Sequence, residues 1–431
     1  MDPSNLVFEN ALIISNNEQL PEVFHGWVQV KERLIVQVGG GEVPDDVLAD
    51  RVIDAGGSVL MPGFVNTHAH SHSTLTRGSA EGLPLDEWLT IIEKEQKQLT
   101  ADQEYAAALA TYAEALLSGT TCISDMCFQP EAAIRAAEEI GIRAVISPYV
   151  AKTKPFTPTL EDTRGLLADV ENYSPRIAVW CGLHDIESCG DEQILEGKQL
   201  AAKMQTGLHM HCAETEHAVS LTKKRTGKRP VFHLADLGVL NEKALLAHCV
   251  WVNQEEIRVL ADRGAHVAHC PHANLKLGSG IAPIREMIET GVNVTLATDG
   301  AKANNRLDMF DVMKFASLLH KGYHHNPSLL PPETIFDMAT RAGAKALGIN
   351  AGMIKEGALA DIILIKPDQL HLQPMTVETA LTNIVHAARG SDVDFVMVEG
   401  KIIVEDGRLL AVDYQEVLDL VRTISEQLLS Q

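Results

Sequence analysis

One unit repeats through the middle of the chain: a short apolar run, a break of polar residues or glycine, and then a segment with helical periodicity. The apolar runs predict eight β-strands, at 63–68, 120–125, 142–147, 176–182, 207–211, 244–248, 265–269 and 292–298. Helical patterns between them lie at 101–118, 130–140, 191–205, 254–263 and 281–290. Eight alternating units over about 240 residues match the size of a (β/α)8 barrel, so we predict an α/β fold of that kind.

The two ends of the chain have a different pattern. Residues 5–60 contain short alternating runs, and the segments 357–365 and 395–410 are again strand-like after a helix near 332–347. Such ends can pair with each other into one small domain. We therefore expect a composite β-sandwich from residues 1–61 and 352–431 beside a barrel at 62–351.

Composition excludes several classes of protein. Apolar residues make up 45% of the 431 residues and charged residues 22%, as in compact globular proteins. The net charge of -22 repels phosphate backbones and anionic lipids, so we expect no nucleic-acid and no membrane partner. The start of the chain lacks the basic flank and apolar run of a signal peptide, and the 7 scattered cysteines suit reduced thiols. These features predict a cytoplasmic protein.

Polar side chains gather where the predicted strands end. Two histidines that close the first strand are two residues apart, which places both on the same side of it. Others end the fifth, sixth and eighth strands, at the face where barrel active sites are built. The residues are His68, His70, His211, Glu214, His248 and Asp299.

Several imidazoles with a carboxylate form a mixed nitrogen and oxygen site that suits Zn²⁺ or Fe²⁺. Magnesium and calcium require more oxygen ligands. A second metal ion needs a bridging group, and the fourth strand with the residues after it offers no lysine or acid before Asp185. We therefore predict one divalent metal ion, with Zn²⁺ favoured over Fe²⁺.

Short motifs are spread over nearly the whole chain. They are PGFVNTHAH at 62–70, RG at 77–78, EWL at 87–89, HCAE at 211–214, AHC at 247–249, NLKLG at 274–278, TDG at 298–300, NN at 304–305 and GALAD at 357–361. In these motifs the chain resembles the amidohydrolase superfamily, in the cytosine-deaminase-like branch. That branch includes aminotriazine and chlorotriazine hydrolases and the deaminases of methylthioadenosine and S-adenosylhomocysteine.

The resemblance implies a metal-dependent hydrolase barrel with a β-sandwich from both termini, and it implies roles for the motif residues. The implied metal ligands are His68, His70, His211 and Asp299. Asp299 would also take a proton from the attacking water, Glu214 would exchange protons with a ring nitrogen of the substrate, and His248 would polarise the substituent of the attacked carbon. Substrate contacts are further expected from Gln96, His184, His269 and Asn304.

The activity implied by the resemblance is hydrolytic release of ammonia from an amino-substituted N-heterocycle, of the nucleobase or aminotriazine type. Four alternatives stay open: a methylthioadenosine/S-adenosylhomocysteine deaminase, a hydrolase of acyclic amidines or guanidines, a chlorotriazine hydrolase and a non-catalytic metal-binding barrel. Gly300 favours a deaminase, because the chlorohydrolases carry asparagine or threonine after the metal aspartate. We expect a small-molecule substrate and a homodimer or higher homo-oligomer.

The resemblance is weaker at the residues that would bind a nucleoside. Gln96 stands where the nucleoside deaminases of the branch place a ribose-binding glutamate, and residues 146–149 lack the arginine that binds an amino-acid carboxylate. A missing polar contact typically costs ~1 to 3 kcal/mol. We therefore expect small neutral amino-heterocycles or amidines to be turned over with higher kcat/KM than S-adenosylhomocysteine.

Overall fold

The computed structural model describes residues 5–430. Residues 1–4 and 431 lie outside the described part. The predicted absence of a signal peptide concerns residues 1–4, and the predicted β-sandwich ranges include these five residues. In the described part, strands form three hydrogen-bonded sheets. The strands are β1 (Asn5–Ile14), β2 (Val23–Lys31), β3 (Leu34–Gly40), β4 (Arg51–Asp54), β5 (Val59–Pro62), β6 (Phe64–Ala69), β7 (Thr120–Cys127), β8 (Arg143–Pro148), β9 (Ile177–Val179), β10 (Cys181–Leu183), β11 (Leu208–Cys212), β12 (Ala244–His248), β13 (His266–His269), β14 (Asn293–Leu296), β15 (Ile362–Ile365), β16 (Val393–Val398), β17 (Lys401–Glu405) and β18 (Arg408–Leu409).

The middle strands build the barrel wall as two parallel sheets, ordered β6-β7-β8-β9 and β10-β11-β12-β13-β14. The predicted strand 176–182 is divided at Trp180 into β9 and β10, because β9 pairs with β8 and β10 pairs with β11. The Trp180 N–H donates to the carbonyl of Ile146 at 2.9 Å, and the Cys181 N–H donates to the carbonyl of Gly207 at 3.0 Å. The two sheets are therefore continuous at this junction.

Hydrogen bonds between β6 and the end of β14 close the ring. The Asp299 N–H donates to the carbonyl of His68 at 2.9 Å. Nearby, the Asn66 side-chain amide donates to Thr298 Oγ1 at 2.6 Å and accepts from the Thr298 N–H at 3.0 Å. A side chain thus replaces part of the backbone ladder at this joint, and the predicted (β/α)8 barrel is confirmed.

Helices cover the outside of the barrel and its ends. They are α1 (Leu85–Gln96), α2 (Ala101–Leu117), α3 (Pro130–Ile140), α4 (Leu160–Ala168), α5 (Ile186–Lys203), α6 (Glu216–Thr226), α7 (Pro230–Asp236), α8 (Gln254–Arg263), α9 (Pro271–Lys276), α10 (Ile284–Thr290), α11 (Ala301–Asn304), α12 (Met309–Tyr323), α13 (Pro332–Ala339), α14 (Arg341–Leu347), α15 (Ala380–His386) and α16 (Tyr414–Leu429). Short 3₁₀ turns lie at Ser71–Thr76, Val170–Asn172, Leu370–Leu372 and Gly390–Asp392. No helix within residues 5–430 has the length and apolar character needed to cross a bilayer.

Local capping explains why the predicted helices α2 and α8 begin where they do. Thr100 and Gln103 form a capping box at the start of α2, and Asn253 and Glu256 form one at the start of α8. By contrast, α5 begins five residues before its predicted start at 191, because a short helical segment precedes Gly190, whose non-helical φ of 73° kinks the chain there.

Both ends of the chain enter one nine-stranded mixed sheet, with β5 pairing antiparallel to β15. This confirms the predicted β-structure built from both termini. A buried ion pair ties the sheet to the barrel: the Arg143 guanidinium on β8 donates to both carboxylate oxygens of Asp361, at 2.9 and 3.2 Å. The sequence interpretation missed α16, which packs Ile424 against Leu75 and Ala106 on the outside of the barrel.

Candidate active site

Three imidazoles and one carboxylate converge at the carboxyl ends of β6, β11 and β14. The Nε2 atoms of His70 and His211 lie 3.2 Å apart. Asp299 Oδ1 is 3.7 Å from His68 Nε2 and 3.6 Å from His70 Nε2. His68 is fully buried, and its Nε2 has no hydrogen-bond partner among the described residues. An unpartnered buried nitrogen pointing at other donor atoms is what a metal ligand presents, so the four predicted ligands fit one divalent cation.

Backbone carbonyls orient two of these imidazoles. His70 Nδ1 lies 2.7 Å from the carbonyl oxygen of Met126, and His211 Nδ1 lies 2.7 Å from that of His184. A carbonyl can only accept, so each Nδ1 carries the proton and donates it. The Nε2 lone pairs are then free and face each other, as metal-binding histidines require.

His209, which the sequence interpretation did not single out, orients the third imidazole. Its Nε2 lies 3.0 Å from His68 Nδ1, and its Nδ1 lies 3.3 Å from Ser124 Oγ. Burial, with the nearby imidazoles of His70 and His248, lowers the pKa of His209 to about 3, so its ring is neutral at pH 7. A neutral ring that donates from Nδ1 can accept the His68 proton at Nε2. A sequence signal existed, because His209 and His211 lie two apart on one strand and therefore face the same side.

A sharp bend after β14 aims Asp299 at the cluster. Asp299 has a positive φ of 61°, which is uncommon for a residue other than glycine. The next residue, Gly300, packs closely against the segment that follows β6. A Cβ at position 300 would stand 2.5 Å from Ser73 Oγ and 3.0 Å from His70 Cβ. A side chain at position 300 would therefore push against a predicted ligand.

Glu214 and His248 face each other beside the cluster. Glu214 Oε2 is 3.7 Å from His248 Nε2, and its Oε1 accepts a hydrogen bond from Ser279 Oγ at 3.3 Å. Burial raises the pKa of Glu214 above its ordinary value, helped by the charge of Asp299 and opposed by His248. His248 Nδ1 lies 2.9 Å from Asn274 Oδ1, which fixes the ring. Asn274 belongs to the NLKLG motif at 274–278.

These groups line one end of a cavity of about 330 Å³. Its covering wall is apolar and comes largely from α1, through Trp88, Leu89 and Ile92. The rings of Tyr149 and His184, which also line the cavity, stack with centroids 4.5 Å apart and planes inclined by 27°. The cavity therefore has a polar end that contains the candidate metal ligands, and its walls are apolar or aromatic. Such a cavity can bind a planar heterocycle.

Of the four expected substrate contacts, the structure brings one to the cavity. His184 lines it. Gln96 is buried at the end of α1, His269 Nε2 lies 3.2 Å from His320 Nε2, and the Asn304 amide donates to the carbonyl of Thr298 at 2.9 Å. None of these three is among the lining residues. Their role in substrate binding stays a prediction.

Comparison with known proteins places the chain in a family. A family model described as the amidohydrolase family matches residues 59–403. A 5'-deoxyadenosine deaminase from Methanothermobacter thermautotrophicus is 41% identical over 408 residues, which cover 94% of this chain and 95% of that protein. The chain belongs to the amidohydrolase family. A 5-methylthioadenosine/S-adenosylhomocysteine deaminase from Thermococcus sibiricus is 40% identical over 360 residues, 82% of this chain and 84% of its own length.

Solved structures of similar shape include two that contain zinc. An adenosine deaminase from Xanthomonas campestris with bound zinc superposes with a TM-score of 0.93 at 28% identity and covers 99% of both chains. An atrazine chlorohydrolase from Arthrobacter aurescens TC1, complexed with zinc, gives a TM-score of 0.90 at 24% identity and covers 97% of this chain and 100% of that one. The likeness to the atrazine chlorohydrolase shows that the two proteins share a fold.

The comparisons confirm the family that the motifs indicated and the predicted class of enzyme. The protein is a metal-dependent amidohydrolase that acts on carbon-nitrogen bonds of cyclic amidines. The predicted release of ammonia from an amino-substituted N-heterocycle is likewise confirmed.

Proposed function

We propose that this protein deaminates adenine nucleosides of the 5'-deoxyadenosine type with one Zn²⁺ held by His68, His70, His211 and Asp299. One observation carries the proposal: the Nε2 atoms of the imidazoles and Asp299 Oδ1 converge beside a buried, protonatable Glu214 at the polar end of a flat-walled cavity. Relatives support the proposal. A 5'-deoxyadenosine deaminase is 41% identical to this chain, and a 5-methylthioadenosine/S-adenosylhomocysteine deaminase is 40% identical to it.

The donor set matches zinc chemistry. Three neutral imidazole nitrogens and one carboxylate oxygen are borderline ligands, and two of the imidazoles donate from Nδ1 to backbone carbonyls that hold their orientation. A divalent cation held by them supplies Lewis-acid activation of a water molecule.

Glu214 and Asp299 divide the proton transfers. Burial raises the pKa of Glu214 and thereby favours its protonated form, which can donate a proton to the ring nitrogen next to the amino-bearing carbon. That carbon then becomes more electrophilic. Asp299 accepts a proton from the attacking water. Returning that proton to the amino group makes ammonia the leaving group, and Glu214 regains its proton when the carbonyl forms.

His248 holds the attacking oxygen in place. Its Nδ1 proton is engaged by Asn274 Oδ1, so the Nε2 lone pair is directed to the space between Glu214 and the metal-ligand cluster. A hydrogen bond from the attacking water to Nε2 aligns one of the water lone pairs with the ring carbon. In this way His248 orients the attacking water, and the polarisation of the carbon's substituent that its motif implied stays a prediction.

Steady-state ammonia release from a substrate panel tests the proposal. The panel contains 5'-deoxyadenosine, methylthioadenosine, adenosine, an aminotriazine, an aminopyrimidine and a guanidine. We expect the highest kcat/KM with 5'-deoxyadenosine or methylthioadenosine. Faster turnover of the aminotriazine, the aminopyrimidine or the guanidine would overturn the assignment to nucleosides. The predicted cytoplasmic location and homo-oligomeric state stay predictions.

A further inference from the structure

We infer that an ion pair between Lys154 and Glu93 makes the cavity select against nucleosides whose 5' substituent carries a carboxylate. The inference rests on the proposed function and names the class of substrate within it. It concerns the part of the cavity beyond Tyr149, whose ring centroid is 6.2 Å from that of His70 and 5.5 Å from Lys154 Nζ.

The charged groups of the cavity wall are unevenly divided. In the part of the chain that the structure describes, Lys154 is the only lysine or arginine that lines the cavity. The lining carboxylates are Asp86, Asp185, Glu187, Glu214 and Asp299. The proposed metal ion would offset the charge of Asp299 at the polar end. A substrate carboxylate elsewhere in the cavity has Lys154 as its one lining lysine or arginine.

Lys154 is already engaged by a carboxylate. Its Nζ lies 2.9 Å from Glu93 Oε1 on α1, and its side chain is only 11% exposed. Its remaining polar contact is with the hydroxyl of Tyr149, at 3.4 Å. A substrate carboxylate would have to displace Glu93 or lie beside it, and either arrangement leaves a negative charge partly unpaired in a poorly hydrated place.

Among residues 5–430, the other cations near this wall do not line the cavity. Lys97 Nζ lies over the ring of Phe156, 4.8 Å from its centroid. Arg164, on the following helix α4, pairs with Glu161 at 2.6 Å and Glu196 at 3.9 Å. Apolar side chains also line this cavity, among them Leu85, Leu89 and Ile186, and its charged lining residues other than Lys154 are carboxylates. An uncharged alkyl or thioether group fits these surroundings, and an anionic one does not.

A matched pair of substrates isolates the charge. 5'-Carboxymethylthio-5'-deoxyadenosine and its carboxamide have the same shape and differ in one negative charge. We expect the wild-type enzyme to prefer the carboxamide by at least about tenfold in kcat/KM. Glu93→Gln frees the Lys154 ammonium and should shift the carboxylate-to-carboxamide ratio about tenfold toward the carboxylate.

Lys154→Gln should move the same ratio the other way, by about tenfold, because Glu93 is then unpaired and repels the carboxylate. Glu192→Gln is the matched control, since it removes an exposed carboxylate that pairs with neighbouring Lys152 at 2.8 Å and does not line the cavity. It should leave the ratio unchanged. Melting curves by circular dichroism establish that each variant is folded.

The outcomes separate the two proposals. Turnover of both substrates with a ratio near one in wild type, or with no opposite shifts in the two variants, would overturn the inference and leave the proposed function standing. If neither nucleoside is deaminated, the proposed function fails, and dissociation constants for the same two compounds, measured by calorimetry on the metal-loaded protein and its variants, decide the inference by the same ratio and the same expected shifts.

Discussion

At the scale of single residues, the groups proposed to hold the metal ion differ from those proposed to move protons. Glu214 lies beside the cluster and contacts His248 and Ser279, while His211 offers its Nε2 to the cluster itself. Substitutions at the two kinds of residue should therefore have different effects on metal content and on activity.

Glu214→Gln keeps the shape of the side chain and removes its acid function. We expect kcat to fall by about 10²- to 10⁴-fold, the usual contribution of general acid-base catalysis, with metal content within a tenth of wild type. Activity and elemental analysis on the same preparation measure both. His211→Ala is the contrasting variant and should lose metal and activity together. Loss of metal from the Glu214 variant would show that this residue is a ligand instead.

His209 acts through His68 and is a positioning residue. Replacing it by alanine removes the acceptor of the His68 Nδ1 proton, and such supporting partners typically contribute 10- to 100-fold to metal affinity. We predict that His209→Ala weakens Zn²⁺ binding by that factor in a competition titration with a chelator. His266→Ala removes another buried histidine, which contacts the carbonyl of Glu242, and should leave the metal affinity unchanged. Equal affinities for wild type and His209→Ala would refute this role.

Sequence motifs were sufficient for the groups at strand ends, because the position of a residue on a barrel strand determines the face that it reaches. His68, His70, His211 and Asp299 were placed in that way and do converge. The partner of Lys154 could not be predicted, since Glu93 lies on another element 61 positions earlier and only the three-dimensional path of α1 brings it close.

At the scale of elements, α2 buries an acid against the barrel. Glu104 lies on this helix and is 3% exposed, and burial together with the charge of Asp125 on β7 raises the pKa of Glu104 to about 8. Its pKa in the unfolded chain is about 4.3. The folded state thus holds a proton that the unfolded state releases between these values. The stabilisation is complete below about pH 4 and is lost as the pH rises through about 8.

Glu104→Gln should remove this dependence. We expect wild type and variant to have similar melting temperatures at pH 5, and the variant to be more stable at pH 9 by a few kcal/mol. Thermal melts at steps of pH measure the difference. Asp102→Asn, an exposed acid on the same helix, serves as the control. Parallel curves for wild type and Glu104→Gln would show that Glu104 keeps an ordinary pKa.

At the scale of the whole molecule, the Arg143–Asp361 pair joins barrel and terminal sheet. Both side chains are nearly fully buried, and Asp361 also accepts a hydrogen bond from the Glu399 N–H at 2.7 Å. Removing one partner of a buried pair leaves the other charge uncompensated, which typically costs 3 to 5 kcal/mol. We predict that Arg143→Met lowers the free energy of unfolding by about that amount, measured by denaturant titration.

An exposed pair provides the comparison for this prediction. Arg285 and Glu289 lie 2.8 Å apart on α10, and Arg285→Met should leave the free energy of unfolding nearly unchanged, because water screens an exposed pair. In addition, Arg143→Met combined with Asp361→Asn should recover part of the loss, because no unpaired charge then stays buried. A loss no larger than that of Arg285→Met would contradict the proposed link between the two parts.

The overall architecture was largely predictable, because alternation of apolar strands and amphipathic helices is a local property of the chain. Closure of the ring through Asn66 and Thr298 was not, since it depends on side-chain contacts 232 positions apart. The helix α16 did carry a signal, with Val417, Val421, Ile424 and Leu428 spaced for one face, but no helix was predicted after the strand-like segment 395–410.

The most direct test of the central claim is a Zn²⁺ titration of metal-stripped protein with 5'-deoxyadenosine as substrate. We predict that ammonia release rises linearly with added Zn²⁺ and stops rising at one equivalent per chain, because four protein ligands form one site. Saturation only at two equivalents would contradict the mononuclear site. Binding of one equivalent without any release of ammonia would contradict the assignment as a 5'-deoxyadenosine-type deaminase.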